Sequence, residues 1–449
     1  MRGPIMATKR TARIDQTPQV LTVDSLAHDG RGVARSNGKT VFIHGALPGE
    51  SVQCRLVEHH RDYDVADVIT ILQASPERAV PPCNHYGICG GCSLQHLSAD
   101  AQILAKQQIL LDTLRHLAKI EPENLLPPLR SPALGYRRKA RLGVKYVPAK
   151  GRVLIGFRER HSHLLADIQQ CEVIHPKVGK LLPDLSAMIG SLTIRQRLPQ
   201  IEVAIGDNVT VLVFRVLVDP SAADNEVMRK FADDHNLQIH LQAGGPDSVK
   251  PLQTDYPPLI YRHPDFDLEM AFHPLDFTQV NHEINQRMVH QAIDWLAPQP
   301  HEQVLDLFCG LGNFTLPLAR HARQVVGVEA DAGLLARAGE NARRNGLNNV
   351  SYVATDLYDA ARVRNPSWLQ TSFDAALLDP PRSGAREVIP ILAQAGIARL
   401  LYVSCHPGSL ARDAGTLVND LGYRLVRAGV MDMFPHTSHV ESMALFIKA

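Results

Sequence analysis

The sequence predicts a multidomain α/β protein, in which a small N-terminal OB-like β-barrel and an α+β centre precede a C-terminal doubly wound sheet. Short β-prone runs between turns predict the barrel, and a strand–glycine turn–helix–strand–acid unit over residues 304–331 predicts the doubly wound sheet. The 449 residues suffice for two or three domains with sizeable cores. We expect domains over residues 12–76, 77–262 and 263–449, with a helix at 98–120 that packs on the last of them.

Charge is almost balanced, with 47 Lys and Arg against 46 Asp and Glu, so any binding of nucleic acid must use local patches. No apolar run approaches the length that crosses a bilayer. Residues 1–15 are basic but have no apolar core, which indicates a flexible arm and not a signal peptide. Seven cysteines without an export signal favour a reducing compartment. We therefore expect a cytoplasmic monomer without membrane contact.

Residues 20–75 predict the five-stranded barrel. Turns such as Asp29–Gly32 and Pro48–Glu50 separate its β-prone runs. These runs are Val20–Val23, Lys39–Ile43, Val52–Val57 and Val65–Leu72. The segments Leu26–Ala34, Val41–Ile43 and Ala46–Glu50 resemble the TRAM domain of RNA-modifying enzymes, which implies an appendage that holds RNA. A purely structural barrel is the alternative.

Three cysteines follow the barrel within ten positions, at Cys83, Cys89 and Cys92. Their C-x5-C-x2-C spacing lets three thiols converge on one centre but differs from the C-x2-C pair of most zinc fingers. A fourth ligand is usual, and Cys171 is the best remote candidate. Weaker candidates are Cys54, His85 and His96. The set of four cysteines suits an iron–sulfur cluster or zinc, and a loop that binds no metal is the remaining alternative.

Residues 98–120 predict an amphipathic helix that begins at Ser98. We expect this helix to pack against the rest of the protein and to have no role in function. Its expected buried stripe is Ile103, Leu110, Leu114 and Leu117. Residues 130–160 then hold ten basic side chains and one acidic one, interleaved with Tyr136, Tyr146 and Phe157. Basic groups for phosphates with aromatic rings for unstacked bases indicate RNA contact, and an ordinary solvated strand face is the alternative.

The C-terminal unit begins with a strand at Val304–Phe308, a turn at Gly310 and Gly312, and a helix from Thr315. The next strand ends at Glu329, 17 residues past Gly312, where an acid can bind two ribose hydroxyls. Thr315 stands where a dinucleotide fingerprint has its third glycine. The turn is therefore less suited to bind a pyrophosphate. The better ligand is an adenosine without phosphates, S-adenosylmethionine.

Two further strands, Ala375–Leu378 and Leu400–Val403, end in polar, proline-rich loops. Ligands of open α/β sheets bind outside such strand ends, so Asp379 and Cys405 should share one crevice. A cysteine before a Pro turn and a helix is well placed to be a thiolate, because the helix N-terminus and nearby His or Arg lower its pKa.

A methyltransferase needs a thiolate when the acceptor is an inert pyrimidine carbon. Addition at C6 makes C5 nucleophilic, and a base must then remove the C5 proton before the thiolate can leave. Glu441, in a Pro- and His-rich turn before the terminal strand, is the candidate base, although an isolated glutamate is often a surface residue. Asp379 could accept the uracil N3–H of a flipped base.

Four motifs together resemble the RNA (uracil-5)-methyltransferases. They are Asp306–Thr315, Leu378–Arg382, Tyr402–Pro407 and His439–Ser442. With the barrel and the four cysteines, the resemblance is to the bacterial members that act on 23S ribosomal RNA. It implies a class I S-adenosylmethionine-dependent fold, Cys405 as nucleophile and Glu441 as base. It also implies a [4Fe–4S] cluster on Cys83, Cys89, Cys92 and Cys171. Around the cofactor and base it implies Gln279, Phe308, Asn313, Glu329, Asp356 and Asp379. His406 departs from the family pattern, which has Asn.

Five alternatives are weaker. A cytosine-5 RNA methyltransferase expects a second cysteine in the loop Asp379–Arg382, which has none, and an exocyclic-amine methyltransferase leaves Cys405 unexplained. Thr315 disfavours a dinucleotide oxidoreductase. A non-catalytic RNA-binding factor does not need both Cys405 and Glu441. Relatives that act on the transfer RNA T-loop lack the barrel and the cluster, so these features favour ribosomal RNA.

Overall fold

The computed structural model describes residues 17–359, 367–369 and 371–449, and the expected basic arm at 1–15 lies outside them. The described residues form two compact units, of which the first contains 17–81 with 93–101 and the second contains the rest. Within the described ranges no helix is both long and apolar enough to span a bilayer.

The first unit is a closed five-stranded barrel, which confirms the prediction. Its strand order is β1-β2-β3-β5-β4. The strands are β1 Gln19–Leu26, β2 Gly32–Ser36, β3 Lys39–His44, β4 Ser51–His59 and β5 Tyr63–Gln73. Burial alternates along them, as in β3, where Val41 and Ile43 are buried and Phe42 between them is half-buried. Alternate side chains therefore fill the barrel interior.

Glu50 is a buried acid in this barrel, inside the segment that suggested a TRAM domain. Its carboxylate accepts hydrogen bonds from Arg78 Nε at 2.6 Å, Arg78 Nη2 at 2.8 Å and Leu47 N at 2.8 Å. Burial by itself would raise the pKa of Glu50, but these donors outweigh it and lower the pKa. The ion pair therefore ties the turn before β4 to the chain that leaves the barrel.

The second unit contains a six-stranded sheet in the order β12-β11-β10-β9-β7-β8. Its strands are β7 Lys139–Val147, β8 Arg152–Gly156, β9 Gln200–Ile205, β10 Thr210–Arg215, β11 Gln238–Gln242 and β12 Val249–Pro251. Its helices are α2 Pro176–Gly179, α3 Leu182–Ser191 and α4 Ala222–Asp234. Leu142 and Val144 are buried on one face, while Arg141 and Lys145 are exposed on the other, as the basic alternation predicts.

The same unit contains an eight-stranded sheet in the order β17-β16-β15-β18-β19-β21-β20-β6, and a hairpin β13-β14. The strands are β6 Asn124–Leu125, β13 Leu259–His263, β14 Leu268–Phe272, β15 Gln303–Leu307, β16 Gln324–Glu329, β17 Val350–Ala354, β18 Ala375–Leu378, β19 Arg399–Ser404, β20 Tyr423–Met431 and β21 Glu441–Lys448. The helices are α5 His282–Leu296, α6 Thr315–Ala319, α7 Ala332–Arg344, α8 Ile389–Gln394 and α9 Pro407–Gly415. Strands β15 to β19 run parallel, and β21 runs antiparallel to β19. The predicted doubly wound sheet is present.

The helix expected over 98–120 is α1, Ala99–Thr113, followed by one π-helical turn. Leu117 is 65% exposed, so its expected place in the buried stripe is wrong. The buried face of α1 instead includes two polar side chains, Gln102 and Lys106. Leu117 lies in the π-helical turn Leu114–Ala118, whose wider winding turns it away from the stripe that α-helical spacing predicts.

We expect Glu50→Gln to destabilise the barrel by about 3 kcal/mol, because it leaves the Arg78 guanidinium without its charged partner. Since the folded pKa lies below the ordinary 4.5, this stabilisation is present above that pH and is lost as the pH falls through the lowered value. Hydrogen exchange of barrel amides in the full chain measures the loss. Glu58→Gln is the control, because that carboxylate is 61% exposed beside His60. Equal protection of the barrel amides from exchange in the Glu50→Gln and Glu58→Gln proteins would contradict the stabilising role of the ion pair between Glu50 and Arg78.

Candidate active site

The candidate site forms where the parallel strands of the eight-stranded sheet end. Asp379 follows β18 and Cys405 follows β19 at this edge. Because β21 runs antiparallel to β19, its first residue, Glu441, lies at the same edge, and Ser442 pairs with Ser404. Glu441 therefore begins a strand and is not in the preceding turn as expected. One reversed strand brings the predicted base beside the predicted nucleophile.

A cavity of about 660 Å³ opens at this edge. All of the predicted catalytic and cofactor-binding side chains line it, namely Gln279, Phe308, Asn313, Glu329, Asp356, Asp379, Cys405 and Glu441. The geometry thus brings together residues that are separated by up to 162 positions in the chain. The lining also includes residues that the sequence did not single out individually, among them Tyr261, Tyr358, Phe434 and His439.

The turn after β15 suits close approach of a ligand. Gly310 has φ of +53° with open space where a Cβ would stand, and Phe308 adopts φ of +63°, which is rare for a bulky residue. The Gly310 N–H donates to Glu329 Oε2 at 3.3 Å, and the Ala330 N–H donates to Oε1 at 2.7 Å. The Glu329 carboxylate is thereby held at the cavity wall.

Thr315, which replaces the third glycine of a dinucleotide fingerprint, has a structural role. Its Oγ1 donates to Asp306 Oδ2 at 2.5 Å, and both side chains are fully buried. Burial raises the pKa of Asp306 to about 7, with smaller contributions from the charges of Asp379 and Glu329. Asp306 therefore belongs to the floor beneath the glycine turn.

The Asn313 side chain is largely committed to protein partners. Its Oδ1 accepts hydrogen bonds from Asn285 Nδ2 at 3.0 Å, Tyr261 Oη at 3.3 Å and His263 Nε2 at 3.1 Å. Its Nδ2 donates to Asn285 Oδ1 at 2.9 Å. One amide hydrogen remains for a ligand. The hairpin β13-β14 and helix α5 thus orient this residue, a contribution that no motif indicated.

The reactive groups have strongly altered pKa values. Burial raises the pKa of Cys405 to about 11, the negative charges of Glu441 and Asp379 add to the rise, and Arg382 opposes it. Burial raises the pKa of Glu441 to about 8, helped by Asp379 and opposed by Lys106 and Arg382. Burial also raises the pKa of Asp379 to about 7. The expectation of a thiolate with a lowered pKa is therefore wrong for the free protein, because two acids and burial outweigh the helix N-terminus.

The His406 side chain caps the N-terminus of helix α9, a role that an asparagine side chain could also fill. Its Nδ1 accepts a hydrogen bond from the Ser409 N–H at 3.1 Å, so it is the N-cap of α9. The departure from the family pattern therefore keeps the helix start that follows Cys405.

The four predicted metal-ligating cysteines occupy one neighbourhood in the second unit. The pKa of Cys171 is raised to about 11, mainly by burial and further by charge on Cys89 and Cys83, and Cys83 also raises the pKa of Cys89. Cys92 and Cys171 both act on the pKa of Tyr136. Backbone N–H groups point at sulfur, from Gly91 to Cys89 at 3.5 Å and from residues 173 and 174 to Cys171. Such donors suit thiolates that bind a cluster.

The weaker ligand candidates have other roles or lie elsewhere. His85 Nε2 accepts a hydrogen bond from Gln169 N at 3.1 Å. Cys54 is buried in the barrel core. His96 also belongs to the first unit, whereas the four cysteines belong to the second.

Several basic side chains of residues 130–160 form ion pairs within the protein, so fewer of them than expected are available to bind RNA phosphates. Lys150 and Arg152 both pair with Asp167, Arg138 pairs with Asp207, and Arg141 pairs with Glu202. Tyr136 is buried, and its hydroxyl donates to Pro435 O at 3.1 Å, so it cannot stack on a base. Phe157 packs against the position of Gly91 in the cysteine loop. The predicted aromatic interleaving is therefore mostly structural.

Comparisons with known proteins agree with this arrangement. The family model described as tRNA (Uracil-5-)-methyltransferase matches residues 98–449, and the TRAM domain model matches residues 18–69. The chain is 49% identical over 446 residues to the 23S rRNA (uracil(1939)-C(5))-methyltransferase RlmD of Xanthomonas campestris pv. campestris (strain 8004), covering 99% of this chain and 100% of that protein. It is 50% identical over 446 residues to the protein of the same name from Stenotrophomonas maltophilia (strain K279a), with the same coverage.

Among solved structures, the chain is similar to Pyrococcus abyssi tRNA (uracil-54, C5)-methyltransferase in complex with S-adenosyl-L-homocysteine. The TM-score is 0.74 at 23% identity, over 95% of this chain and 99% of that one. At this identity the likeness establishes the fold, with its C-terminal S-adenosylmethionine-dependent methyltransferase sheet.

We expect alkylation of Cys405 by iodoacetamide in the free protein to accelerate about tenfold per pH unit up to about pH 10, because only the thiolate reacts. Peptide mass spectrometry measures the rate at this one cysteine. Asp379→Asn should move the midpoint to lower pH, because it removes a negative charge that raises the pKa of Cys405. Asp374→Asn is the control, since that carboxylate lies at the opposite end of β18. A rate that levels off below pH 9 would contradict the raised pKa.

Proposed function

The chain is a methyltransferase that belongs to the tRNA (Uracil-5-)-methyltransferase family, and we propose that it methylates C5 of a specific uridine in 23S ribosomal RNA. The observation that carries the reaction type is the shared cavity in which Cys405, Glu441 and Asp379 meet. A thiol, a buried acid with a pKa near neutrality and a second acid are the groups that substitution at an inert pyrimidine carbon requires.

In the proposed mechanism, the Cys405 thiol first loses its proton to solvent. The thiolate Sγ then bonds to C6 of uracil, and the C5–C6 electron pair moves toward O4. S-adenosylmethionine, held by Glu329 and the turn at Gly310, would supply a sulfonium methyl to C5; the methyl–sulfur bond would break and S-adenosylhomocysteine would leave. Glu441 removes the C5 proton, the electron pair reforms the C5–C6 bond, and the C6–S bond breaks to return the thiolate. With its pKa raised to about 8, Glu441 is a stronger base than an exposed glutamate.

The remaining predicted residues have proposed binding roles. Asp379, when ionised, accepts the uracil N3–H and aims the flipped base. Glu329 binds the ribose of the cofactor. Gln279, Phe308, Asn313, Asp356 and Asp379 complete the cavity wall around the cofactor and the base. The open space above Gly310 and the fixed Glu329 carboxylate support this fit.

The proposed substrate rests on the relatives. The expectation that the barrel separates ribosomal from transfer RNA enzymes is wrong, because the transfer RNA methyltransferase of Pyrococcus abyssi matches 95% of this chain. Relatives that match this chain over its full length are named for uracil 1939 of 23S ribosomal RNA, so we propose the equivalent uridine as the target. The TRAM domain would hold this RNA. Exposed Lys145 on the outer face of the six-stranded sheet offers a phosphate contact.

We also propose that Cys83, Cys89, Cys92 and Cys171 hold a [4Fe–4S] cluster. The support is the all-thiol donor set, the mutual electrostatic influence of the thiols and the backbone N–H groups directed at two of the sulfurs. The cluster would fasten the cysteine loop to the central sheet, since the Gly90 N–H already donates to Arg158 O at 2.8 Å.

Cys405→Ala should reduce methyl transfer by at least about 1000-fold, because the uracil carbon is not activated without the thiolate. Binding of S-adenosylmethionine, measured by calorimetry, should persist. Cys54→Ala, which removes a buried thiol of the barrel core that does not line the cavity, should remain active. Retained turnover in Cys405→Ala would exclude covalent catalysis.

Glu441→Gln should accumulate a covalent RNA–protein adduct, because methyl transfer proceeds but the C5 proton stays. Denaturing electrophoresis with labelled RNA measures the adduct, and mass spectrometry should locate it at Cys405. Glu387→Gln, an acid outside the cavity lining, is the control. A Glu441→Gln protein that never traps RNA would remove this residue from the role of base.

Anaerobically purified protein should contain about four iron and four sulfide per chain. Cys171→Ser should lower both, because it removes one proposed ligand, whereas Cys54→Ser should not. Zinc in place of iron and sulfide would contradict the cluster.

A further inference from the structure

The loop at residues 432–440, which we call the base loop, connects β20 to β21 and immediately precedes Glu441, the first residue of β21. It carries Phe434 and His439 into the cavity wall. We propose that Gln102 and Lys106, on the buried face of α1, are positioning residues that fix the base loop and thereby aim Glu441 at the reacting carbon. This inference rests on the proposed function, because it assigns these residues to the proton-removal step.

Lys106 anchors the first part of the base loop. Its Nζ donates to Asp432 Oδ1 at 2.7 Å and to Phe434 O at 2.9 Å. The side chains of Lys106 and Asp432 are only 2% and 8% exposed. A buried ion pair of this kind contributes little net stability compared with apolar packing, but it imposes one geometry on the groups that it joins.

Gln102 anchors the middle of the loop, one helical turn before Lys106. Its Oε1 accepts from the His436 N–H at 2.8 Å, and its Nε2 lies 3.2 Å from His436 Nδ1. His436 adopts φ of +65°, a conformation that costs energy for any residue other than glycine. The two contacts from Gln102 to His436 therefore hold a strained turn five residues before Glu441.

The rest of the surroundings strengthens this anchoring. Tyr136 Oη donates to Pro435 O at 3.1 Å, and Thr437 Oγ1 donates to Phe434 O at 2.9 Å. The base loop is thus held along most of its length by hydrogen bonds, and two of the side chains responsible come from α1. Reactive groups must be held within fractions of an ångström of their productive positions, so a loop fixed in this way has a catalytic consequence.

Lys106 also acts electrostatically on Glu441. The groups that face this carboxyl are Asp379, Arg382, Lys106 and the Cys405 thiol. Burial and Asp379 raise the pKa of Glu441, whereas the Lys106 ammonium lowers it. Removing the ammonium should therefore raise the pH at which Glu441 becomes able to accept a proton.

The test uses the full chain with a ribosomal RNA fragment and two variants. Gln102→Leu removes both contacts with His436 without leaving a buried charge. Lys106→Met combined with Asp432→Asn removes both charges of the ion pair. Gln108→Leu is the matched control, because Gln108 is exposed on the same helix. For each protein, thermal unfolding, S-adenosylmethionine affinity, turnover, and the fraction of RNA held in covalent adduct are measured.

We expect both variants to bind S-adenosylmethionine normally and to lose about 10- to 100-fold in turnover, with a larger steady-state adduct fraction than wild type. The double variant should also shift the acid limb of the pH–turnover profile upward. Unchanged turnover and adduct fraction in a folded Gln102→Leu protein would overturn the inference, as would losses of turnover and of cofactor binding in equal proportion. If the wild type forms no 5-methyluridine or no adduct, the proposed function fails instead.

Discussion

The direction of one strand constrains the whole site. Parallel strands β15 to β19 end at one edge of the sheet, and β21 begins there because it runs antiparallel to β19. Had β21 been parallel, Glu441 would lie at the far edge, and the crevice would contain a thiol without its base. The pairing of Ser404 with Ser442 fixes this relation to a single register, because a slip of one residue would reverse which side chains face each layer.

Burial determines the electrostatics of that crevice. Asp379 and Glu441 lie near the half-buried Cys405 thiol, so each negative charge makes the others harder to form. This favours Glu441 as a base, because its affinity for a proton increases, but it disfavours the free thiolate. Arg382 counteracts both effects, and its Nη2 lies 2.9 Å from Nδ1 of His439, whose pKa is lowered to about 4 by burial and nearby cations. The free protein thus has a largely protonated nucleophile beside a base whose pKa lies just above neutrality.

Polar groups in the interior of the second unit orient the side chains and the loop that line the cavity. Asn285, Tyr261 and His263 direct Asn313, and Lys106 and Gln102 hold the base loop. Apolar side chains could fill the same volumes, but they would not specify one hydrogen-bonded arrangement. In both cases the orienting groups come from elements outside the parallel strands, namely α1, α5 and the hairpin β13-β14.

The sequence by itself determined the elements whose signals are local. The strand and turn at Val304–Gly312 follow from apolar runs and glycines, and the barrel follows from short strands between turns. Strand ends then predicted a crevice at Asp379 and Cys405. The Pro- and His-rich turn before the terminal strand suggested Glu441, and the motif resemblance implied the same residue. Tertiary structure alone decided the pKa of Cys405, the burial of Tyr136 and the place of Lys106, because each depends on groups hundreds of positions away or on opposing strands. Lys106 and Gln102 did leave a signal, since they interrupt an apolar stripe at a spacing of four. Only the folded chain shows that Asp432 and His436 are the groups that they meet.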